Sequence, residues 1–253
     1  MNAFSERSSS TAPFLKNEEI HLWKCLFSSK GNHISDLYGL LSQSEKQQAA
    51  RFIYKKLRDR YCFYHGVLRI ILGMYTHAPP DELIYIKNTF GKPQLSEKNN
   101  PGKIQFNFSD SDDIGLVAVV RNRPIGLDVE KVKKIVDARN IIHREFSPEE
   151  QHDLMSLSDA EITEPFFMCW TQKEAYIKAI GKGLSYPLNR FSVPIRNFNS
   201  VQKKQGIRIG HAEMGEWRVD LLRPHEGYVG AVITKRTALE LRLFDFEYCR
   251  DAS

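Results

Sequence analysis

Apolar and polar residues partly alternate over residues 20–27, the period of a strand with one buried face. Leu41-Ser42-Gln43-Ser44-Glu45 then offers Ser42 as an N-cap with Glu45 three positions on, which predicts a helix start. That helix carries Arg51, Lys55, Lys56, Arg58 and Arg60, and a second apolar period runs from Tyr61 through Val67, Leu68, Ile71 and Leu72 to Gly73. Beyond Pro79-Pro80, residues 83–86 read as a short strand, and Phe90-Gly91-Lys92-Pro93 as a turn that presents a lysine. Residues 104–108 alternate cleanly before Ser109-Asp110-Ser111, whose short hydroxyls and backbone amides could meet a phosphate. Residues 114–120 and 125–129 flank Arg121-Asn122-Arg123-Pro124, which predicts that these two strands pair as a hairpin.

In the second half a helix is expected near residues 137–143. Another starts at Ser147-Pro148-Glu149-Glu150, with an N-cap serine, proline at the first helical position and glutamate at the third. A further helix spans roughly residues 166–180, residues 217–222 and 228–234 read as a hairpin, and residues 239–248 as a closing strand. Residues 1–17, rich in serine and poor in large apolar side chains, read as a mobile extension. The expected organisation is α+β, with that extension, an N-terminal half over residues 18–123 and a C-terminal half over residues 124–253. Phe90-Gly91-Lys92-Pro93 and Ile180-Gly181-Lys182-Gly183 hint at a duplication of the two halves, which would leave a cleft between them.

Composition adds limits rather than a function. With 42% hydrophobic and 26% charged residues in 253, the chain is an ordinary globular protein. Four scattered cysteines make no CxxC pair, so they read as reduced thiols rather than zinc ligands or a disulfide framework. No apolar run reaches membrane-spanning length and residues 1–17 lack the core of a secretory signal, so a cytoplasmic protein without a membrane partner is expected. A net charge of +5 and a pI near 8.9 favour anionic partners, such as a phosphorylated cofactor or an acidic protein. The interleaved aromatic and basic residues of a nucleic-acid binder are missing.

The candidate chemistry gathers around residues 170–178, Trp-Thr-Gln-Lys-Glu-Ala-Tyr-Ile-Lys. On a helix Trp170, Glu174, Ile177 and Lys178 share one side, with Lys173 at its edge. Alone, this is a surface helix with a Glu174/Lys178 ion pair. Upstream, Gly126-Leu127-Asp128-Val129-Glu130 aims two carboxylates at the same face of a strand. Asp128, Glu130 and Glu174 form an oxygen-only donor set, which suits magnesium or manganese rather than zinc. Magnesium commonly completes its shell with substrate phosphates, and Lys92, Lys178 and Lys182 are at hand, so phosphoryl chemistry is indicated. Lys55 and Arg60 are further phosphate-clamp candidates, with a solvated basic helix face as the alternative. Neither a Walker loop nor a GxGxxG turn is present.

Five motifs now stand in order: Phe90-Gly91-Lys92-Pro93, Phe106-Asn107-Phe108-Ser109-Asp110-Ser111, residues 126–130, Phe146-Ser147-Pro148-Glu149-Glu150 and residues 170–184. In these the chain resembles the Sfp-like 4′-phosphopantetheinyl transferases, over about residues 45–195. The resemblance implies a monomer of two similar α+β halves with coenzyme A and metal bound in the cleft between them. It also implies magnesium on Asp128, Glu130 and Glu174. The reaction implied is transfer of the phosphopantetheine arm to a serine hydroxyl of an apo acyl or peptidyl carrier protein, with release of adenosine 3′,5′-bisphosphate. Glu174 would take the serine proton and Lys178 would steady the transferring phosphate. Lys55, Arg60, Lys92, Ser109 and Asp110 match the neighbourhood of the cofactor phosphates, and Lys182 the pantetheine side. Asp110 departs from the pattern, since relatives usually hold histidine there. A magnesium-dependent coenzyme A phosphodiesterase and a non-catalytic protein that binds coenzyme A or a carrier are the alternatives.

Overall fold

The computed structural model of the chain describes residues 6–8, 13–28, 33–193, 195, 206–207, 217–235 and 239–248. Its strands are β1 (Glu6–Ser8), β2 (Glu19–Leu26), β3 (Tyr85–Lys87), β4 (Pro93–Leu95), β5 (Ile104–Ser111), β6 (Ile114–Arg121), β7 (Ile125–Lys131), β8 (Gly206–Ile207), β9 (Trp217–Leu222), β10 (Tyr228–Lys235) and β11 (Glu240–Phe246). Its helices are α1 (Ile34–Gly39), α2 (Gln43–Ala50), α3 (Lys55–Thr76), α4 (Ala138–Glu145), α5 (Pro148–Met155) and α6 (Thr163–Ile180). The chain is thus of mixed α+β class. The described residues form two compact units, one of those within 4–86, 93–122 and 240–253, the other of those within 87–92 and 123–239. No helix among the described residues is long and apolar enough to cross a membrane.

In the first unit the strand order is β1-β11-β2-β6-β5. Alternation on β2 turns Trp23 and Cys25 to the face that α3 covers, where Phe63, Val67 and Ile71, each four positions on, meet them in one core. Trp23 lies opposite Val117 on β6 and Phe244 on β11, and its ring stacks on Phe244 at 4.7 Å. Trp23 and His21 find polar partners inside this core: Trp23 Nε1 donates to the Tyr75 hydroxyl at 2.8 Å, which lies 2.7 Å from His21 Nδ1.

Helix α2 starts as expected, with Ser42 Oγ accepting the Glu45 amide and the Glu45 carboxylate accepting the Ser42 amide. It ends at Ala50, and α3 begins after Tyr54, whose backbone is extended. Lys55, Arg58 and Arg60 therefore stand in the first turns of α3 instead of continuing α2. Glu45 serves α3 too. Arg69, fully buried, gives it Nε at 2.8 Å and Nη2 at 2.7 Å, and satisfies the Pro80 and Leu83 carbonyls with Nη1.

In the second unit the order is β7-β10-β9-β8, antiparallel throughout, with α6 laid across β7 and β10. Asp128 stands opposite Ala231 and Gly126 opposite Ile233. The Ser147 capping box forms at α5, and the expected 217–222/228–234 hairpin is the β9/β10 pair.

Further expectations are corrected. The strands over 114–120 and 125–129 do not pair with each other: β6 lies between β2 and β5, whereas β7 pairs with β10, and the Pro124 carbonyl accepts the Thr234 hydroxyl at 2.7 Å. Ser109-Asp110-Ser111 forms the end of β5, in register with Leu116, Gly115 and Ile114 of β6. The closing strand does not stay with residues 124–253, because β11 runs parallel to β2 in the first unit. The described parts of residues 1–17 also belong to the fold, since β1 pairs with β11 and Leu15 is buried. Cys25, Cys62 and Cys169 are buried free thiols, and Cys249 lies outside the described residues.

Burial pushes the Glu45 carboxyl up, but hydrogen bonds from His65, Ser42 and Arg69 outweigh it and bring the pKa from 4.5 down to about 2. A lowered carboxylate pKa means stability that is present above pH 4.5 and lost as pH falls toward 2. Glu45→Gln is expected to lower stability at pH 7 by about 2 kcal/mol and to flatten the acid limb between those values. Urea titrations across that range check this, and parallel acid limbs for the two proteins would contradict it.

Candidate active site

Helix α6 carries the central side chains. It closes at Gly181, whose φ of +70° lets the Gly181 amide reach the Lys178 carbonyl and the Lys182 amide the Ile177 carbonyl. Its rotation is set by Lys173, which is fully buried. The ammonium pairs with Glu150 at 2.7 Å and donates to the Leu188 and Phe191 carbonyls at 2.8 and 2.7 Å. Successive helical residues are about 100° apart. With Lys173 turned to that side, Glu174 is turned away from it, and Lys178 follows one turn later on the Glu174 face.

Strand β7 supplies the carboxylates. A methyl group at Gly126 would sit 1.8 Å from the Ala175 carbonyl oxygen and 2.4 Å from the Ala179 nitrogen, so the backbone of α6 rests directly on the strand there. Alternation then places Asp128 and Glu130 on that same face. Asp128 is buried, and its Oδ1 accepts Lys178 Nζ at 2.6 Å. The Glu174 carboxyl is pushed from 4.5 up to about 7, chiefly by burial, then by the Asp128 charge, with Lys178 opposing and Glu130 adding. These four side chains thus share one electrostatic environment. Among the described residues no three His, Cys, Asp or Glu side chains are grouped as a metal site. The ammonium of Lys178 meets Asp128 in this arrangement.

The other candidates are distributed as follows. Lys92 is half-buried in the same unit, its Nζ donating to the Ile125 carbonyl at 2.7 Å, and burial lowers its pKa from 10.5 to about 8. Lys182 Nζ lies 5.1 Å from the centre of the Tyr186 ring. In the first unit, Lys55 pairs with Asp59 one helical turn on. Ser109 is buried, and Asp110 beside it receives Arg60 at 3.6 Å, with Asp112 taking the same guanidinium at 3.8 Å. Asp110 and Arg60 thus form a pair. Trp170 packs rather than projects, stacked on Phe166 at 5.9 Å. Sequence patterns place Lys173 at the edge of the reactive face and miss its burial. The Ser147 capping box signals Glu150, but only the fold brings the second partner to it.

The family model of the 4′-phosphopantetheinyl transferase superfamily matches residues 124–233 of the chain. Similar proteins include the 4′-phosphopantetheinyl transferase HetI of Nostoc sp., 35% identical over 171 residues, covering 68% of this chain and 72% of that one. The 4′-phosphopantetheinyl transferase gsp of Aneurinibacillus migulanus is 32% identical over 191 residues, 73% and 76% of the two chains. The 4′-phosphopantetheinyl transferase Sfp of Bacillus subtilis is 29% identical over 161 residues, 64% and 69% of the two.

Contact between α6 and β7 at residue 126 gives a direct test. Gly126→Ala is expected to force the helix and strand apart and cost about 3 kcal/mol, a fall in melting temperature of roughly 10 °C. Thermal denaturation followed by circular dichroism measures it. An unchanged melting temperature would show that the two elements separate freely at this point.

Proposed function

The chain belongs to the 4′-phosphopantetheinyl transferase superfamily, and from that premise we propose how its own residues carry the reaction. It transfers the 4′-phosphopantetheine arm of coenzyme A to a serine hydroxyl of an apo carrier protein and releases adenosine 3′,5′-bisphosphate. The observation that carries the reading is the seat of α6 on β7. Inside the segment that the family model matches, it gathers Asp128, Glu174 and Lys178 around one partly buried spot.

Glu174 is the proton acceptor. It stands on the same face of α6 as Lys178 and beside Asp128, where a hydroxyl brought to this cluster would meet it. Lys178 sits one turn along the same helix face, so its ammonium can leave Asp128 for the transferring phosphate without moving the backbone. Asp128, Glu130 and Glu174 would hold the magnesium ion, or manganese in its place. They offer oxygen donors alone, and the upward push on Glu174 by its two carboxylate neighbours marks a negative cluster that a divalent cation relieves. When bound, the metal supplies charge neutralisation at the pyrophosphate.

Binding of coenzyme A by Lys92, Lys178 and Lys182, together with Lys55, Arg60, Ser109 and Asp110, belongs to the same proposal, supported by the motif resemblance. So do a duplicated origin of the two units, a monomeric state, and action in the cytoplasm on acyl or peptidyl carrier proteins, without nucleic acid or membrane. The Arg60 partner of Asp110 supports the view that this aspartate orients a clamp residue where relatives hold histidine.

Incubation with coenzyme A, magnesium and an apo carrier, followed by mass spectrometry of the carrier, separates the readings. A transferase adds one phosphopantetheine, a phosphodiesterase consumes coenzyme A without a carrier, and a binding protein does neither. Asp128→Ala and Glu174→Ala are each expected to lower transfer by at least about a hundredfold with the fold intact. Glu130→Ala should be milder and respond to added magnesium, because water can replace one oxygen ligand. Wild-type turnover in either of the first two variants would refute the assignment.

A further inference from the structure

Two of the lysines assigned above to coenzyme A, Lys92 and Lys182, follow glycines in left-handed backbone, Gly91 at φ +89° and Gly181 at φ +70°. One side chain touches both turns. Asn88 folds the first of them: its amide donates to the Lys92 carbonyl at 3.0 Å, its carbonyl accepts the Gly91 amide at 3.0 Å, and its Oδ1 accepts the Phe90 and Lys92 amides at 2.9 Å each. Its Nδ2 donates to the Gly181 carbonyl at 2.8 Å. The orientation of the amide follows from its partners, since a flipped group would set NH2 against two N–H donors and Oδ1 against a carbonyl.

The fit is close on the other side as well. A methyl group at 181 would lie 2.8 Å from Asn88 Nδ2 and 3.7 Å from Lys92 Cδ, and one at 183 would lie 3.7 Å from the Phe90 carbonyl. The carbonyl that Asn88 takes lies just past the last turn of α6, beyond the two that the Gly181 and Lys182 amides close. Lys92 adds a second fastening through the Ile125 carbonyl, but that bond is made by the ammonium itself and must loosen when the ammonium turns to an anion. The Asn88 bond to the Gly181 carbonyl involves no charge and need not loosen in that way.

We propose that Asn88 is a positioning residue, fastening the Gly91-Lys92 turn to the Gly181-Lys182 turn so that both ammonium groups meet the anionic groups of coenzyme A as one preset pair. This rests on the reading of coenzyme A as the substrate. Without the staple, the hairpin tip must be ordered each time the ligand binds, and that cost appears in affinity rather than in the chemical step. Asn88→Ser keeps an acceptor for the turn amides but is too short to reach the Gly181 carbonyl.

Calorimetry with coenzyme A on the full chain, beside steady-state transfer kinetics, tests the proposal. Asn88→Ser is expected to weaken coenzyme A binding and raise its KM by about tenfold, with kcat and the carrier KM within about twofold of wild type. Asn88→Asp, which keeps the Oδ acceptor, loses the donor and adds a negative charge, replaces it if the serine variant does not fold, with at least the same loss expected. Unchanged coenzyme A affinity in a folded variant overturns the proposal alone. So does a parallel loss in kcat and both Michaelis constants that follows the folded fraction. A wild-type chain that does not bind coenzyme A overturns the transferase reading and this inference together.

Discussion

Helix α6 can lie on β7 only because residue 126 has no side chain. The 1.8 Å that would separate a methyl group there from the Ala175 carbonyl is far inside any van der Waals contact, so helix and strand backbones define each other's position at that point. Two residues along the strand comes Asp128, on the same face, and on the helix Glu174 and Lys178 flank the contact residue Ala175 and the next turn. The ion pair at 2.6 Å and the raised pKa of Glu174 follow from that seat.

Seat and rotation are separate constraints. Gly126 fixes how near the helix comes, and Lys173 fixes which way it faces. A buried ammonium costs several kcal/mol unless it is fully paired, so the Glu150 carboxylate and two carbonyls of the 188–191 turn strongly prefer one rotation of α6. Glu150 in turn is held at its place by the capping box of α5 and by the Val193 amide, which donates to Oε1 at 2.7 Å. The reactive face of the helix is thus aimed by polar contacts on its other side.

Much of this was legible in the sequence, and the boundary is physical. The period of two along 126–130 and the helical spacing of 170–178 are local properties, so the shared face of Asp128 and Glu130 and that of Glu174 and Lys178 could both be read directly. Both Ser-x-x-Glu caps are local as well, and both formed. The errors are long-range. A four-residue turn signal at 121–124 suggested that β6 and β7 pair, yet the partner of β7 arrives about a hundred residues later as β10. Nothing near residue 240 announces a parallel partner at residue 19. The second roles of Glu45, Glu150 and Asn88 likewise depend on groups 24, 23 and 93 positions away in sequence.

The central claim is that the seat of α6 buries Glu174 in the field of Asp128 and so raises its pKa when no cation is bound. Nuclear magnetic resonance titration of the Glu174 carboxyl carbon, with divalent cations removed, tests it most directly in wild type and in Asp128→Asn. The account predicts a midpoint near 7 that falls when the Asp128 charge is removed. A wild-type midpoint near 4.5, or one that does not respond to Asp128→Asn, would contradict it.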